Sequence, residues 1–310
     1  MSASAQLPSV SVVIPTHNRP AFVRKAVRSV IDQDYPGRVE ALVVFDGCEA
    51  VELPAPEPEA ERAVVRLENN RKPGPLGARN TGILAAAGDI VAFLDDDDEW
   101  LPSKLTRQVE ALMTNDVDVV FSGVRFVAGN RYRDYVPQPS PEDPVRGLVA
   151  GGVFMPLQTM IAWRSALEPD LLDENFPTGG DQELVLRLLL RLRMACISEP
   201  LVRMSRAHTN RLTMDYDRML ENVEYMRAKH APLFHKYRPN LSASHARFAL
   251  LALGNRKRAD ARRWAARALR ANPRRPRNWL VGLAVLVLPA MSLDTLQALH
   301  HRLLWRRVPA

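Results

Sequence analysis

Cysteine is scarce in this sequence, with two in 310 residues, Cys48 and Cys196. The two form neither a metal-binding spacing nor a disulfide framework, which argues against a cysteine-stapled secreted domain and favours a reducing cytoplasm. The first nine residues lack a basic region and a long apolar stretch, so we expect no secretory signal.

A hydrophobic run long enough to cross a membrane is also missing at the C-terminal end. The apolar run from Trp279 to Met291 would span about 20 Å as a helix, short of the roughly 30 Å hydrocarbon core of a bilayer, and Pro289 interrupts it. Arginines and tryptophans flank the run, which favours attachment at a membrane interface. A core helix packed on the rest of its domain is the alternative.

Positive charge is concentrated in the same region. Residues 255–310 contain 13 Lys and Arg against 2 Asp and Glu, a net charge of +11, whereas the rest of the chain has 29 basic and 33 acidic residues, a net charge of −4. This basic segment predicts an anionic surface as its partner. Because its arginines flank an apolar run and do not alternate with stacking aromatics, we expect a membrane surface and no nucleic acid.

The rest of the chain has a globular composition, with 46% hydrophobic and 25% charged residues, and enough length for about two domains. Helical stretches alternate with predicted strands, which indicates right-handed crossovers and an α/β fold with a mostly parallel central sheet flanked by helices. The predicted strands are Val10–Pro15, Ala41–Phe45, Ala63–Leu67, Asp89–Leu94 and Val117–Phe121. Residues 125–144 are expected to form a variable loop or hairpin, and 215–237 a single helix.

Four consecutive carboxylates, Asp95 to Asp98, follow one of these strands. Unit charges ~4 Å apart repel by roughly 1–4 kcal/mol in wet surroundings, and a divalent cation offsets that repulsion. In an extended segment alternate residues share a face, so Asp95 and Asp97 should point one way and Asp96 the other. A solvated acidic turn is the alternative interpretation.

Polar residues also follow two other strands, at Thr16–Arg19 and at Asp46. Ligands of open α/β sheets bind beyond the carboxyl ends of the strands, so these two clusters and the acidic stretch should meet at one edge. We therefore expect a phosphate-bearing ligand with a divalent ion at that edge. Asp181 lies at the start of a predicted helix, where it serves either as a cap or as a general base.

Four motifs in this order resemble family-2 glycosyltransferases of the GT-A fold, over roughly Ser9 to Thr213. The motifs are Val13–Arg19, Ala78–Gly82, Leu94–Trp100 and Gly180–Leu184. The resemblance implies transfer of a sugar, with inversion, from a nucleotide-diphosphate donor (UDP-sugar by family habit) to a saccharide or lipid-linked acceptor. It also implies a Mg²⁺ or Mn²⁺ cofactor and work in surface polysaccharide or glycoconjugate synthesis, in the cytoplasm or peripherally on the inner face of the cell membrane.

The resemblance further implies roles for individual residues. Asp181 would be the catalytic base, and Asp95 and Asp97 would bind the metal. The residues expected along the donor are Pro15, Thr16, Arg19, Asp46, Arg79, Asp95, Asp96, His208 and Arg211. The chain departs from the family pattern at two places. The family often has two acidic residues after the second strand, and this chain has only Asp46 there. Many members have Glu before the catalytic Asp, and this chain has Gly180 before Asp181.

The resemblance and the charge distribution together suggest a division of the chain. Residues 1–122 would form the nucleotide-sugar-binding α/β half of one GT-A domain. Residues 123–238 would form its other half, which binds the acceptor and carries the base. Residues 239–310 would be a basic, helical, membrane-associated extension.

Two other functions fit the sequence less well. A sugar-phosphate nucleotidylyltransferase would have a Gly-rich turn after the first strand, and here that turn is Pro15–Arg19, without glycine. A non-catalytic binding protein that docks on membranes would have a broken acidic motif or no base, and this chain has both features intact.

Overall fold

The computed structural model describes residues 7–140, 142–150, 153–167, 171–176, 179–205, 216–287 and 306–307. The chain divides into two compact units. The first lies within Met1–Pro137, Met155–Asn175 and Gly180–Ala207, and the second within Gln138–Phe154, Phe176–Gly179 and His208–Ala310.

The first unit is built around a mixed sheet with flanking helices. Its strands are β1 (Val10–Thr16), β2 (Val39–Phe45), β3 (Arg62–Glu68), β4 (Ile90–Phe93), β5 (Asp98–Trp100), β6 (Val119–Ala128), β7 (Arg131–Tyr135), β8 (Met160–Trp163) and β9 (Met194–Ser205). Numbered along the whole chain, its helices are α1 (Pro20–Ile31), α2 (Pro75–Ala85), α3 (Lys104–Thr114), α5 (Arg164–Leu167) and α6 (Gly180–Leu189). A 3-10 turn at Leu157–Thr159 precedes β8.

The strand order β7-β6-β8-β4-β1-β2-β3 separates a parallel half from an antiparallel half, and β9 pairs with both β5 and β6. The parallel half, β3-β2-β1-β4, is the part that the alternation of strands and helices predicts. Strand β1 is buried along its whole length, as parallel strands covered on both faces are. Its register pairs Thr16 with Phe45 and Val13 with Phe93, which brings the carboxyl ends of β1, β2 and β4 to one edge.

The antiparallel half contains one short connection. Strands β6 and β7 are joined within a few residues around Gly129, at a φ of +57°, and only an antiparallel hairpin can close over so short a link. The hairpin alternative for residues 125–144 is therefore confirmed for its first part. Strand β8 then pairs antiparallel with both β4 and β6.

The second unit is helical in the residues described. Its helices are α4 (Pro144–Val149), α7 (Tyr216–Lys229), α8 (Ala231–Lys236), α9 (Ser242–Gly254), α10 (Arg258–Ala271) and α11 (Pro276–Val287), with a 3-10 turn at Arg238–Asn240 and a two-residue strand β10 at Arg306–Arg307. The expectation of one helix over residues 215–237 is wrong, because the chain breaks at His230 and a new helix starts with Pro232 in its first turn. Proline fits there, where its missing N–H is not needed.

Trp264 lies at the centre of the core of the second unit. It packs against Phe248, with ring centroids 5.1 Å apart, and its Nε1 donates to the Tyr216 hydroxyl at 3.0 Å. Alanines at 249, 252, 261, 265 and 268 are also buried and let the helices approach closely. In the described part of the chain, no helix is both long enough and apolar enough to cross a membrane.

His245 makes the stability of this core sensitive to acid. It is 8% exposed, accepts from Arg227 Nη2 at 3.0 Å, and burial together with the Arg227 charge lowers the pKa of His245 from 6.5 to about 4. Between these two values the unfolded chain binds a proton that the folded chain does not. The free energy of unfolding should therefore fall as the pH drops from 6.5 to 4, by up to about 3 kcal/mol.

We expect His245→Gln to remove most of this slope in urea unfolding followed by circular dichroism at pH 7, 6 and 5. The exposed His235, changed to Gln, is the matched control and should keep the wild-type slope. Equal slopes in all three proteins would contradict the assignment.

Candidate active site

The four consecutive aspartates form a tight turn between β4 and β5, and Asp98 N donates to Asp95 O at 3.1 Å. The chain therefore turns here and is not extended, but Asp95 and Asp97 do lie together while Asp96 points elsewhere, as expected. The turn brings Asp98 beside Asp95 and Asp97, and ligand oxygens of these three lie within 4.8 Å of one another. Asp98 is also tied to β9, because its Oδ1 accepts from Ser205 N at 3.3 Å.

Asp96 leaves this group and connects the turn to the end of β1. Its carboxylate accepts from Thr16 Oγ1 at 2.8 Å and from Arg19 Nη1 at 3.1 Å. Burial raises the pKa of Asp96, and the bonds from Thr16 and Arg19 oppose that shift. Arg19 also reaches Asp97 at 3.5 Å and is half-exposed, so its guanidinium lies beside the acidic turn within reach of a ligand.

Arg79 joins the acidic turn to Asp181. From α2 it donates through Nη2 to Asp95 Oδ1 at 2.5 Å and through Nη1 to Asp181 Oδ1 at 3.0 Å. The residue is 5% exposed. Burial works against its charge, but the carboxylates of Asp181 and Asp95 outweigh burial and raise the pKa of Arg79. Arg79 is thus a fixed cation shared by two carboxylates from distant parts of the sequence.

Asp181 lies in the first turn of α6, where the helix dipole favours a negative charge. Burial raises the pKa of Asp181 and the charge of Asp95 adds to that rise, whereas Arg79 opposes it. A carboxylate with a raised pKa, held in place by a guanidinium, is suited to accepting a proton. Its side chain makes this contact across the site, which a helix cap alone would not require.

Asp46 orders the loop between β3 and α2. Its Oδ1 accepts from Asn69 Nδ2 at 2.7 Å and its Oδ2 from Gly74 N at 2.8 Å, so the protein itself occupies both carboxylate oxygens. Gly74, at a φ of +121°, caps α2. The backbone of Asp46 donates to Thr16 O at 3.0 Å, which joins the ends of β1 and β2. Pro15 lies buried in β1, opposite Val44.

The structure therefore brings nine of the eleven expected site residues to one edge of the first unit. They are Pro15, Thr16, Arg19, Asp46, Arg79, Asp95, Asp97 and Asp181, with Asp96 behind the turn bonded to Thr16 and Arg19. The other two, His208 and Arg211, lie outside the described residues.

Gln158 is a residue that the sequence did not single out. It is 4% exposed in the 3-10 turn before β8, and its Nε2 donates to Asp95 Oδ2. The turn is itself fixed, because Gln108 Nε2 donates to the carbonyl of Thr159 at 2.8 Å. Both oxygens of Asp95 thus have donors, one from Gln158 and one from Arg79. A single glutamine in a segment of mixed composition gives no signal from which this contact could be predicted.

The arrangement suits a hard divalent cation. Carboxylate oxygens are the ligands that Mg²⁺ and Mn²⁺ prefer, and Asp95, Asp97 and Asp98 supply them from one turn. Arg19, half-exposed beside that turn, places positive charge where a diphosphate could be bound.

Comparison with known proteins gives a consistent result. The family model described as "Glycosyl transferase family 2" matches residues 11–166. An uncharacterized glycosyltransferase of Nostoc, alr2836, is 32% identical over 180 residues, which are 54% of this chain and 53% of that protein. A Campylobacter jejuni protein named GalNAc(5)-diNAcBac-PP-undecaprenol beta-1,3-glucosyltransferase is 34% identical over 108 residues, 34% of each chain. The match thus spans about half or less of the length of these relatives.

A solved structure shares the fold over most of the chain. The mannosyltransferase PcManGT of Pyrobaculum calidifontis, in complex with GDP-Man and Mn²⁺, aligns over 95% of this chain and 85% of its own, with a TM-score of 0.55 and 20% identity. At that identity the likeness shows the fold, which is the GT-A architecture expected from the sequence.

Replacing Arg79 should destabilise the first unit. Arg79→Met would leave Asp95 and Asp181 near each other without the cation between them, and removing one partner of a buried ion pair costs roughly 3–5 kcal/mol. Because both carboxylates are about a quarter exposed, we expect the lower end, about 3 kcal/mol, in urea unfolding. Arg107→Met, at an exposed pair with Glu199, is the matched control and should cost under about 1 kcal/mol.

Adding Asp95→Asn to Arg79→Met should restore part of the loss, because it removes one of the two uncompensated charges. If the double variant were as unstable as Arg79→Met, or if the Arg107 control lost as much, the bridging charge would not be the cause.

Proposed function

The chain belongs to glycosyl transferase family 2, and we propose that it transfers a hexose from a nucleotide-diphosphate donor to a saccharide or lipid-linked acceptor, with inversion at the anomeric carbon. The observation that carries this proposal is that Arg79 donates to both Asp95 and Asp181. These bonds hold an acidic turn suited to the donor next to a carboxylate suited to be the base. One base without a covalent nucleophile corresponds to single displacement.

In the proposed reaction Asp181 accepts the proton of the acceptor hydroxyl as that oxygen attacks the anomeric carbon. The bond between this carbon and the donor phosphate oxygen breaks, and the nucleoside diphosphate leaves with the electron pair. A sugar hydroxyl is a poor nucleophile, so a positioned carboxylate is needed. Burial, which raises the pKa of Asp181, makes it a stronger base, and the charge of Arg79 opposes that rise.

The side chains of the acidic turn have the second role in this proposal. Asp95, Asp97 and Asp98 would hold Mg²⁺ or Mn²⁺, which as a Lewis acid stabilises the charge of the departing diphosphate. Gln158 and Arg79 hold the carboxylate of Asp95 in one orientation. Arg19 contributes positive charge at the end of β1, and Thr16 fixes Asp96 behind the turn.

The acceptor and the location are proposed from a relative. The Campylobacter protein is named for an undecaprenol-linked substrate, and we extend that substrate class to this chain. A lipid-linked acceptor requires the enzyme to work at a membrane, here proposed as the cytoplasmic face, with residues 255–310 providing the attachment and polysaccharide or glycoconjugate synthesis as the setting. The donor base is proposed to be uridine by family resemblance, although the structural neighbour holds GDP-Man.

A thermal-shift screen of UDP, GDP and their sugars, each with and without Mn²⁺, tests donor and metal together. A ligand at 100 times its Kd stabilises by about 2.7 kcal/mol, so one nucleotide should raise Tm by several degrees, and more with Mn²⁺ present. Asp95→Ala with Asp97→Ala should abolish the Mn²⁺-dependent part of the shift. Asp134→Ala, at an exposed position of β7, should retain it. An unchanged shift in the first variant would exclude the metal site.

Asp181→Asn tests the base independently of binding. Loss of general-base catalysis should lower the turnover number by roughly 10²–10⁴-fold, measured as nucleoside diphosphate released from the donor that the screen identifies. The thermal shift by that donor should persist, because the acidic turn is unchanged. Asp34→Asn, an exposed residue after α1, is the control with wild-type turnover. Turnover of Asp181→Asn within a few-fold of wild type would mean that another group takes the proton.

A further inference from the structure

Helix α11 has apolar residues on two opposite sides, and only one side is covered. The inner side packs on the rest of the helical unit through Val281 and Val285, which are 5% and 1% exposed. Asn278 fixes the register on that side, since its Nδ2 donates to the carbonyls of Ala268 at 3.0 Å and Asn272 at 2.7 Å. The rotation of α11 about its axis is therefore determined, and so is the side it presents to solvent.

The outer side is an exposed apolar stripe. Its five residues are 58% to 67% exposed, and they are half of the ten large hydrophobic residues that are exposed in the described part of the chain. The spacing of three and four positions places them along one stripe of the helix. They are Trp279, Leu280, Leu283, Leu286 and Val287, here called the outer face.

Exposed arginines lie at and just before the N-terminal end of α11. Arg274 and Arg277 are exposed just before and within the first turn of α11, and Arg270 is exposed in the last turn of α10. From residue 261 to 287 the sequence contains no Asp or Glu. The Trp279 ring lies at the same end, with its Nε1 donating to Pro273 O at 2.8 Å, so its polar edge is satisfied while its apolar surface stays exposed.

We infer that the outer face docks on an anionic lipid bilayer, with α11 lying in the plane of the interface. Helix α11 is too short to span a bilayer, but an exposed apolar stripe next to arginines fits the boundary between acyl chains and anionic headgroups. A second copy of this chain offers no acidic partner for these arginines, because residues 261–287 contain no Asp or Glu, whereas anionic headgroups do. The inference deepens the proposed function, on which its purpose rests, because a lipid-linked acceptor lies in that same bilayer.

Flotation of the full chain with vesicles tests this docking surface. Wild type should bind vesicles that contain about 40% phosphatidylglycerol and should bind pure phosphatidylcholine vesicles weakly. Added salt should weaken the binding to the phosphatidylglycerol vesicles. Leu283→Glu with Leu286→Glu should reduce the bound fraction roughly tenfold, because two charges would enter the apolar region. Arg274→Ser with Arg277→Ser should reduce mainly the dependence on phosphatidylglycerol.

Met113→Glu with Leu190→Glu is the matched control, since both residues are 50% exposed and belong to the other unit; it should bind like wild type. Each variant is checked by circular dichroism and by its thermal shift with the donor. That shift should persist in the Leu283/Leu286 variant, so a failure of docking is distinguishable from a failure of the proposed function.

Two outcomes would overturn the proposal. In one, the full chain does not bind anionic vesicles or the Leu283/Leu286 variant binds them as wild type does. In the other, size-exclusion chromatography shows that wild type is a dimer and that the Leu283/Leu286 variant is a monomer, while wild type does not bind vesicles. The outer face would then be an interface between copies of the chain.

Discussion

The site depends on one buried guanidinium, that of Arg79. Burial raises the pKa of Asp181 and the nearby charge of Asp95 adds to that rise, whereas the charge of Arg79 opposes it. An arginine stays charged at any pH the protein meets, so it sets the charge of the pair independently of the solution. A divalent cation that binds Asp95 therefore binds a carboxylate that is already paired with Arg79. Its affinity depends both on the weakening of that ion pair and on the ligand oxygens of the aspartates.

The position of Arg79 follows from how closely α2 approaches the sheet. A Cβ at Gly82 would lie 2.4 Å from Val13 Cγ1, so only glycine allows this distance between α2 and β1. Arg79 lies about one helical turn earlier, toward the carboxyl end of β1. The same strand ends at Thr16, which donates to Asp96. One strand and the helix packed on it thus set the geometry of both the arginine and the acidic turn.

Local sequence patterns predicted the parts of this site that depend on local structure. The buried runs of β1, β2 and β4 predicted that Thr16, Asp46 and the aspartates would share an edge, because parallel strands in register must end together. The tight turn at Asp95–Asp98 could not be predicted, because β5 pairs with β9, about a hundred residues further along. The contact of Gln158 with Asp95 likewise depends on β8 lying between β4 and β6.

Helix α11 shows the same limit in the second unit. A core helix and an interfacial helix were both compatible with the apolar run, because a helix that is apolar on every side has no periodicity to show which side is buried. Tertiary contacts determine which side is buried. Val281 and Val285 belong to the same core as the buried alanines of α10, and Asn278 donates to two backbone carbonyls. The five residues of the outer face, which the inner side does not use, therefore remain exposed, and arginines lie at the N-terminal end of the same helix.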